Sequence, residues 1–168
     1  MQFKTKRLLQ ILSIVLIVFV LDRVSKELAI HYLKYEPAKT YLGGFFRLTY
    51  AENTGAFLSL GANTTGWLKY ISLYFFPLIL LVGLFFYILF DKNKSWVTTF
   101  AMSMVLGGGL SNVVDRLSAG KVTDFMVMAL GSLHTGVFNI ADVFIMVGLF
   151  SMLLFGVQKK EIKEVEGG

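Results

Sequence analysis

Aspartates are the residues in this chain best suited to chemistry. Five occur among its 168 residues, and the order of the membrane spans gathers four at one membrane face: Asp22 ends the first span, Asp115 ends the third, Asp124 lies in an outer loop and Asp142 opens the fourth; Asp91, in a short inner turn, is the exception. A carboxylate at membrane depth is costly unless it is paired or reached by water, so such positions are functional candidates by default. Asp124 lies among Val122, Thr123, Phe125 and Met126, and Asp142 among Ile140, Ala141, Val143 and Phe144; the only base within four positions of either is Lys121. Two carboxyls in apolar surroundings, brought close by folding, do not both ionise readily, and one keeps its proton at neutral pH. Peptide hydrolysis by an aspartate pair needs that state: the ionised member takes a proton from water as it attacks, and the protonated member polarises the carbonyl. No metal, cofactor or covalent intermediate is required. A position in the first turn of a helix favours Asp142 as the ionised member, although a coupled pair titrates as a unit.

The other two aspartates admit a plainer reading. Asp22 and Lys26 are four apart on one helical face and Asp115 sits beside Arg116, so both carboxylates can be charge-paired ties between helices, with Arg23 competing for Asp22. Asn112 and Asp115 are three apart, as are Asn139 and Asp142, and Asn53 precedes Gly55. These amides can orient carboxylates or hold a peptide backbone; alternatively Asn139 is a helix N-cap and Asn112 a packing amide. Gly107, Gly108 and Gly109 suit a close helix approach. His31 and His134 have no ligand-like spacing to each other or to a carboxylate, so no metal site is expected.

Other chemistries lack their motifs. The chain has no cysteine, which removes disulfides, thiolate metal sites, a cysteine nucleophile and a lipid-modified cysteine of its own. It has no G-x-S-x-G elbow, H-E-x-x-H pair or phosphate-binding glycine loop. The net charge of +5 does not point to nucleic acid, because the basic residues flank apolar runs instead of forming a patch with interleaved aromatics.

The elements that must position these groups are membrane helices. The chain is 55% hydrophobic and only 16% charged, beyond what a soluble domain carries. A span needs about 20 mostly apolar residues, and four stretches qualify, at about 8–27, 70–90, 95–114 and 138–157, the first reaching that length only by including Asp22 and its neighbours. The first follows Lys4, Lys6 and Arg7 and lacks a small-x-small cleavage site, so it reads as an uncleaved signal-anchor. Lysines and arginines near span ends stay cytoplasmic, which puts both termini inside and the loops 28–69 and 115–137 outside. Phe45 to Tyr50, after Gly43 and Gly44, reads as a short strand of a sheet resting on the membrane surface. The expectation is a single membrane domain over 1–168, all-α in its spans.

With these residues in view the chain resembles a known family, the lipoprotein signal peptidases (signal peptidase II) of bacteria. Five blocks match in order: Asp22-Arg23-Val24-Ser25-Lys26, Asn53-Thr54-Gly55-Ala56-Phe57, Gly108 through Asn112 to Asp115-Arg116, Val122-Thr123-Asp124-Phe125, and Phe138-Asn139-Ile140-Ala141-Asp142. The resemblance implies four transmembrane helices with a small extracytoplasmic β-cradle and a short surface helix between Phe45 and Gly66. It implies an aspartic endopeptidase of the bacterial inner membrane that removes signal peptides from prolipoproteins, cutting just before a cysteine that carries diacylglycerol. Asp124 and Asp142 would be the catalytic pair; Asn53, Gly55, Gly108, Asn112, Asp115, Arg116, Asn139 and Ala141 would line or support the site, and Asp22 with Lys26 would brace it. Globomycin would inhibit it, and a monomer bounded by membrane lipid is expected, since one chain supplies both aspartates. Ser111 departs from the glycine or other small residue usual before Asn112, which bears on packing there, and Thr123 from the common valine.

Two rival readings make different demands. A small proton-coupled transporter would set its carboxylates near the bilayer midplane on discontinuous helices and would show repeated halves. A non-catalytic assembly factor would use the same aspartates and amides only to tie helices together.

Overall fold

The computed structural model describes residues 2–55, 66–90 and 95–166, and side chains within 4–55, 66–90 and 95–154. Among the described residues, five α-helices and four strands follow one another as α1 (Gln2–Leu33), β1 (Lys39–Tyr41), β2 (Phe46–Asn53), α2 (Gly66–Tyr70), α3 (Phe76–Phe90), α4 (Trp96–Ala119), β3 (Val122–Leu130), β4 (Leu133–His134) and α5 (Ile140–Glu166). A π-helical turn, Ile71–Phe75, joins α2 to α3. Among the described residues, three helices are long and apolar enough to cross a membrane: Lys4–Leu33, Gly66–Phe90 and Trp96–Ala119. The described apolar part of α5, Ile140–Leu154, is shorter.

The helices bury unequal faces. In the most apolar window of α4, 61% of residues are buried, against 17% for the first span and 11% for the second, so α4 is the central helix and the others pack round it. Leu9, Leu16, Ile79, Leu80, Phe150 and Leu153 are exposed, as lipid-facing positions of a membrane helix are. One stripe of α1 is buried from end to end: Ile11, Val18, Asp22, Lys26, Ala29 and Leu33. Its spacing is helical, so the apolar half of the stripe continues without a break into a polar one. This is why α1 runs to Leu33 and not to residue 27, where a count of apolar residues ends the span.

Glycine sets the closeness of the central contacts. A Cβ on Gly108 would lie 2.5 Å from the Ala141 carbonyl oxygen, and one on Gly148 would lie 2.6 Å from that of Ala101, so α4 and α5 touch backbone to backbone at two levels. A Cβ on Gly107 would meet Val18 of α1 at 2.9 Å. The glycine run does what its composition suggests, bringing neighbours close on three sides of α4.

The sheet is four-stranded and antiparallel in the order β1-β2-β3-β4, so the strand expected at Phe45 to Tyr50 is part of a larger structure. α4 is capped at its start by Ser95, whose Oγ accepts the Thr98 N–H at 3.1 Å, and ends at Gly120 with φ +71°, a left-handed C-cap. The chain then turns directly into β3. Asp124 therefore sits on a strand and not in an irregular loop, and Asn53 is the last residue of β2. The surface helix expected between Phe45 and Gly66 falls largely on 56–65, outside the described residues.

Candidate active site

Five elements deliver the candidate residues to one end of the helix bundle. α1 brings Asp22 and Lys26, α4 brings Asn112, Asp115 and Arg116, the β2–β3 pair brings Asn53 and Asp124, and the start of α5 brings Asn139, Ala141 and Asp142. All of these polar residues except Arg116 are less than a tenth exposed.

The sheet register positions Asp124. Ala51 pairs with Asp124 and Asn53 with Val122, after an irregularity between Leu48 and Ala51. Residues two apart on a strand share a face, which makes Asn53 and Asp124 diagonal neighbours. The Asn53 amide donates to Asp124 Oδ2 at 2.9 Å, and its own Oδ1 accepts the Gly55 N–H at 2.9 Å. Lys121, three residues before Asp124, faces the other way and pairs with Glu52 at 2.6 Å. Burial pushes the Asp124 carboxyl up to about 6, the nearby Asp142 charge adding to this while the Asn53 and Asn139 amides pull the other way.

Asn139 joins the two candidate carboxylates. Its side-chain Nδ2 donates to Asp124 Oδ1 at 2.6 Å, its Oδ1 accepts the Asp142 N–H at 3.0 Å, and its own N–H donates to Asp142 Oδ2 at 3.1 Å. The last two bonds form a reciprocal capping box with Asp142 in the N3 place. The N-cap and the positioning roles open from sequence are thus held by one residue at once. Asn112 donates from Nδ2 to Asp142 Oδ1 at 2.9 Å. Each of the four carboxylate oxygens of Asp124 and Asp142 accepts one amide N–H.

Asp22 and Asp115 have a different environment. Lys26 Nζ donates to Asp22 Oδ2 and Asp115 Oδ2, each at 2.6 Å, and to Asn112 Oδ1 at 3.0 Å, which uses all three of its hydrogens. Asp22 also takes the Ser111 hydroxyl at 2.6 Å and the Ala141 N–H at 2.9 Å, so its charge sits at the N-terminus of α5. Arg23 bonds Asp115 and lies 4.0 Å from Asp22. The pairing of Asp115 with Arg116 expected from adjacency does not form, because consecutive residues on a helix point about 100° apart. Arg116 instead donates through Nε and Nη2 to the Gly55 carbonyl, at 3.2 and 2.8 Å. Among the described residues, two aspartates are neutralised by cations and two are held by amides alone.

The second pair opens onto a cavity of about 560 Å³ whose wall includes Asn53, Asn112, Arg116, Asp124 and Asp142 at its polar part, with Leu73, Pro77, Leu81, Val105, Ile145 and Leu149 beyond. An extended peptide attached to an apolar segment suits that division. His31 stacks edge-on against Tyr32, and His134 bonds Thr135. Sequence reasoning missed Ser111 as a hydrogen-bond donor, treating it only as a departure in size. It also missed the turn at Ile71–Phe75, for which Pro77 inside an apolar run was the available signal.

The chain is similar to known proteins over nearly its whole length. Residues 14–158 match the family model described as signal peptidase (SPase) II. A lipoprotein signal peptidase of Psychromonas ingrahamii is 36% identical over 158 residues, covering 90% of this chain and 88% of its own. One of Borrelia duttonii is 30% identical over 167 residues, covering 96% and 97%. A solved bacterial membrane enzyme structure, obtained by the in meso method, superimposes with a TM-score of 0.78 at 22% identity, covering 91% of this chain and 90% of that one. Family match, relatives and fold agree, and the chain belongs to the signal peptidase II family of peptidases.

Proposed function

We propose that this chain is a membrane aspartic endopeptidase that removes signal peptides from prolipoproteins, with Asp124 and Asp142 as its catalytic pair. The observation that carries the assignment of the pair is the contrast among four clustered aspartates: Asp22 and Asp115 are bound by Lys26, and Asp115 also by Arg23, whereas among the described residues Asp124 and Asp142 accept only amide N–H groups and line the cavity. Carboxyls without a cation share a proton readily.

The chemistry follows from that shared proton. The ionised carboxylate removes a proton from water as its oxygen attacks the scissile carbonyl, and the protonated partner gives its proton to the carbonyl oxygen, forming a neutral gem-diol. Collapse of the diol returns a hydroxyl proton to the carboxylate that gave one up, while the leaving nitrogen takes the proton held by the other aspartate, which breaks the C–N bond and restores the starting state. Asn139, Asn53 and Asn112 hold both carboxyls in place through these steps, and Arg116 with the Gly55 carbonyl frames the entrance.

The membrane setting is part of the same reading. We take α5 as a fourth span antiparallel to α4, both termini as cytoplasmic, and the sheet end of the bundle as extracytoplasmic, which makes residues 1–168 one membrane domain. The lysine and arginine distribution supports this orientation. A signal peptide is itself an apolar helix, and acyl chains on the cysteine after the scissile bond hold that bond at the interface, the depth at which α5 begins. The partners are then diacylglyceryl-modified prolipoproteins and surrounding lipid, the inhibitor globomycin, and no second copy of the chain. The transporter alternative asks for carboxylates at mid-helix depth, whereas Asp115 lies in the last turns of α4 and Asp142 in the first turn of α5.

Incubation of the purified protein with a diacylglyceryl-modified prolipoprotein tests the proposal. Cleavage before the modified cysteine is expected, blocked by globomycin and reduced at least about 10³-fold in Asp124→Asn and in Asp142→Asn. Thermal midpoints near wild type would show both variants folded. Normal turnover by either folded variant would remove the pair from the mechanism.

A further inference from the structure

The hydrogen-bond ladder of the second span is broken beside the candidate active site. Across the π-helical turn Ile71–Phe75 the Phe76 N–H donates to the Ile71 carbonyl, five residues back and not four. The next carbonyl, that of Ser72, would take its hydrogen from residue 77 in the same wide pattern, and residue 77 is proline, which has none. The donor four residues on, Phe76, is already engaged by Ile71. The Ser72 hydroxyl is turned to the preceding turn, donating to the Leu68 carbonyl at 2.8 Å and lying 3.4 Å from that of Lys69. Ser72, Leu73 and Pro77 all line the cavity that holds Asp124 and Asp142.

A backbone carbonyl without a partner is costly at membrane depth, and so is the complementary group, an N–H freed when a substrate helix opens. A peptide must be extended around the bond to be cut, because attack on a carbonyl inside an intact helix is blocked by the neighbouring turns. Its freed N–H groups then need acceptors that the lipid does not supply.

We propose that the Ser72 carbonyl, which among the described residues loses its wide-pattern donor to Pro77 while Phe76 serves Ile71, accepts a backbone N–H of the opened signal peptide on the N-terminal side of the scissile bond. The proposal rests on the peptidase reading above and adds a subsite to it. The turn is a positioning element: it takes no part in bond breaking, but it sets the register of the peptide against the aspartate pair and selects an extended segment over a helical one.

Substrates in which single amides are replaced by esters, at each of the three peptide bonds preceding the scissile one, test this directly. With the unaltered enzyme, one of the three replacements should lower kcat/KM about ten-fold, the loss of one hydrogen bond in a dry site. Pro77→Ala restores an N–H at position 77, fills the acceptor from within the helix, and should lower kcat/KM for the all-amide substrate by a similar factor while abolishing sensitivity to that ester. The interaction between the two changes is what a merely structural role of Pro77 would not produce. A flat ester scan with the unaltered enzyme overturns the proposal whether or not Pro77→Ala folds, as does a folded Pro77→Ala that remains equally ester-sensitive. If cleavage also survives Asp124→Asn, the assignment of the aspartate pair has failed; if it depends on Asp124 while the scan is flat, only the subsite has.

Discussion

Asn139 and Asp142 cap each other: the Asn139 Oδ1 accepts the Asp142 N–H at 3.0 Å, and the Asp142 Oδ2 accepts the Asn139 N–H at 3.1 Å. The same asparagine reaches Asp124 with its remaining amide at 2.6 Å, so the start of α5 and the spacing of the two carboxyls are fixed by one side chain. Cap and positioning can be separated by substitution. Asn139→Ser keeps an N-cap oxygen and should hold stability within about 0.5 kcal/mol, whereas Asn139→Ala should lose about 1–2 kcal/mol. Neither reaches Asp124, so both should lower kcat about 10²-fold, the scale of a small misplacement of reacting groups. Thermal midpoints and turnover measured together check this; full activity in Asn139→Ser would show that the amide bridge to Asp124 does not matter.

The glycine run predicts a graded series. A Cβ on Gly108 meets the backbone of Ala141, one residue before Asp142, and backbone cannot move aside locally. One on Gly109 meets only the Leu81 Cδ2, at 2.6 Å, the end of a flexible side chain. Gly108→Ala should therefore cost about 1–3 kcal/mol and shift α5, with a loss of turnover, while Gly109→Ala should cost less than about 1 kcal/mol. Gly148→Ala, which meets the Ala101 carbonyl oxygen two turns further along α5, should destabilise like Gly108→Ala with a smaller loss of turnover. Equal effects at positions 108 and 109 would contradict the packing described.

Much of this arrangement was legible because the polar residues interrupt an otherwise apolar chain. The positions that matter fall in short blocks, and the spacing of Asp22 and Lys26, or of Asn139 and Asp142, already puts each pair on one helical face. Partners across the fold were not legible. Asp115 chooses Lys26 and Arg23 over its neighbour Arg116, because the two adjacent side chains leave α4 in different directions. β3 escaped notice because Val122 and Asp124 to Val127 are all buried, which erases the alternation that marks a half-exposed strand. Its partner β2 lies some seventy residues earlier in the chain, a distance no local pattern spans.

Asp124 predicts how stability responds to pH. Its carboxyl is raised from the ordinary 3.8 to about 6 in the folded chain, so between these values the folded state binds more protons than the unfolded state. Stability then falls as pH rises through roughly 4 to 6, and is fully reduced above that window. Replacing the group by a neutral isostere removes this dependence. Thermal midpoints of the wild type and of Asp124→Asn in the same detergent, at pH 4.5 and pH 6.5, should show the wild type losing more on going to the higher pH. Parallel behaviour of the two proteins would mean that Asp124 titrates as an ordinary exposed carboxylate.

The Lys26 cluster predicts strong coupling at a distance in sequence. The ammonium is saturated by Asp22, Asp115 and Asn112, and the hold on the Asn112 oxygen turns its amide nitrogen toward Asp142. Lys26→Met leaves two buried carboxylates short of a cation and should cost about 3–5 kcal/mol, the usual penalty for breaking a buried pair from one side. Lys26→Met combined with Asp22→Asn should cost less than the sum of the two, by about 1–3 kcal/mol, because the second change removes one of the charges the first leaves unpaired. Ser111→Ala probes the same carboxylate more gently: it loses one hydrogen bond to Asp22 and should cost about 1.5–3 kcal/mol. Asp22 would still hold the Ala141 N–H, so turnover of Ser111→Ala should stay within about three-fold of wild type, a small change on the scale of catalytic effects. Additive energies for Lys26 and Asp22 would show that the two do not share one network, and the bracing of α5 by α1 would have to be sought elsewhere.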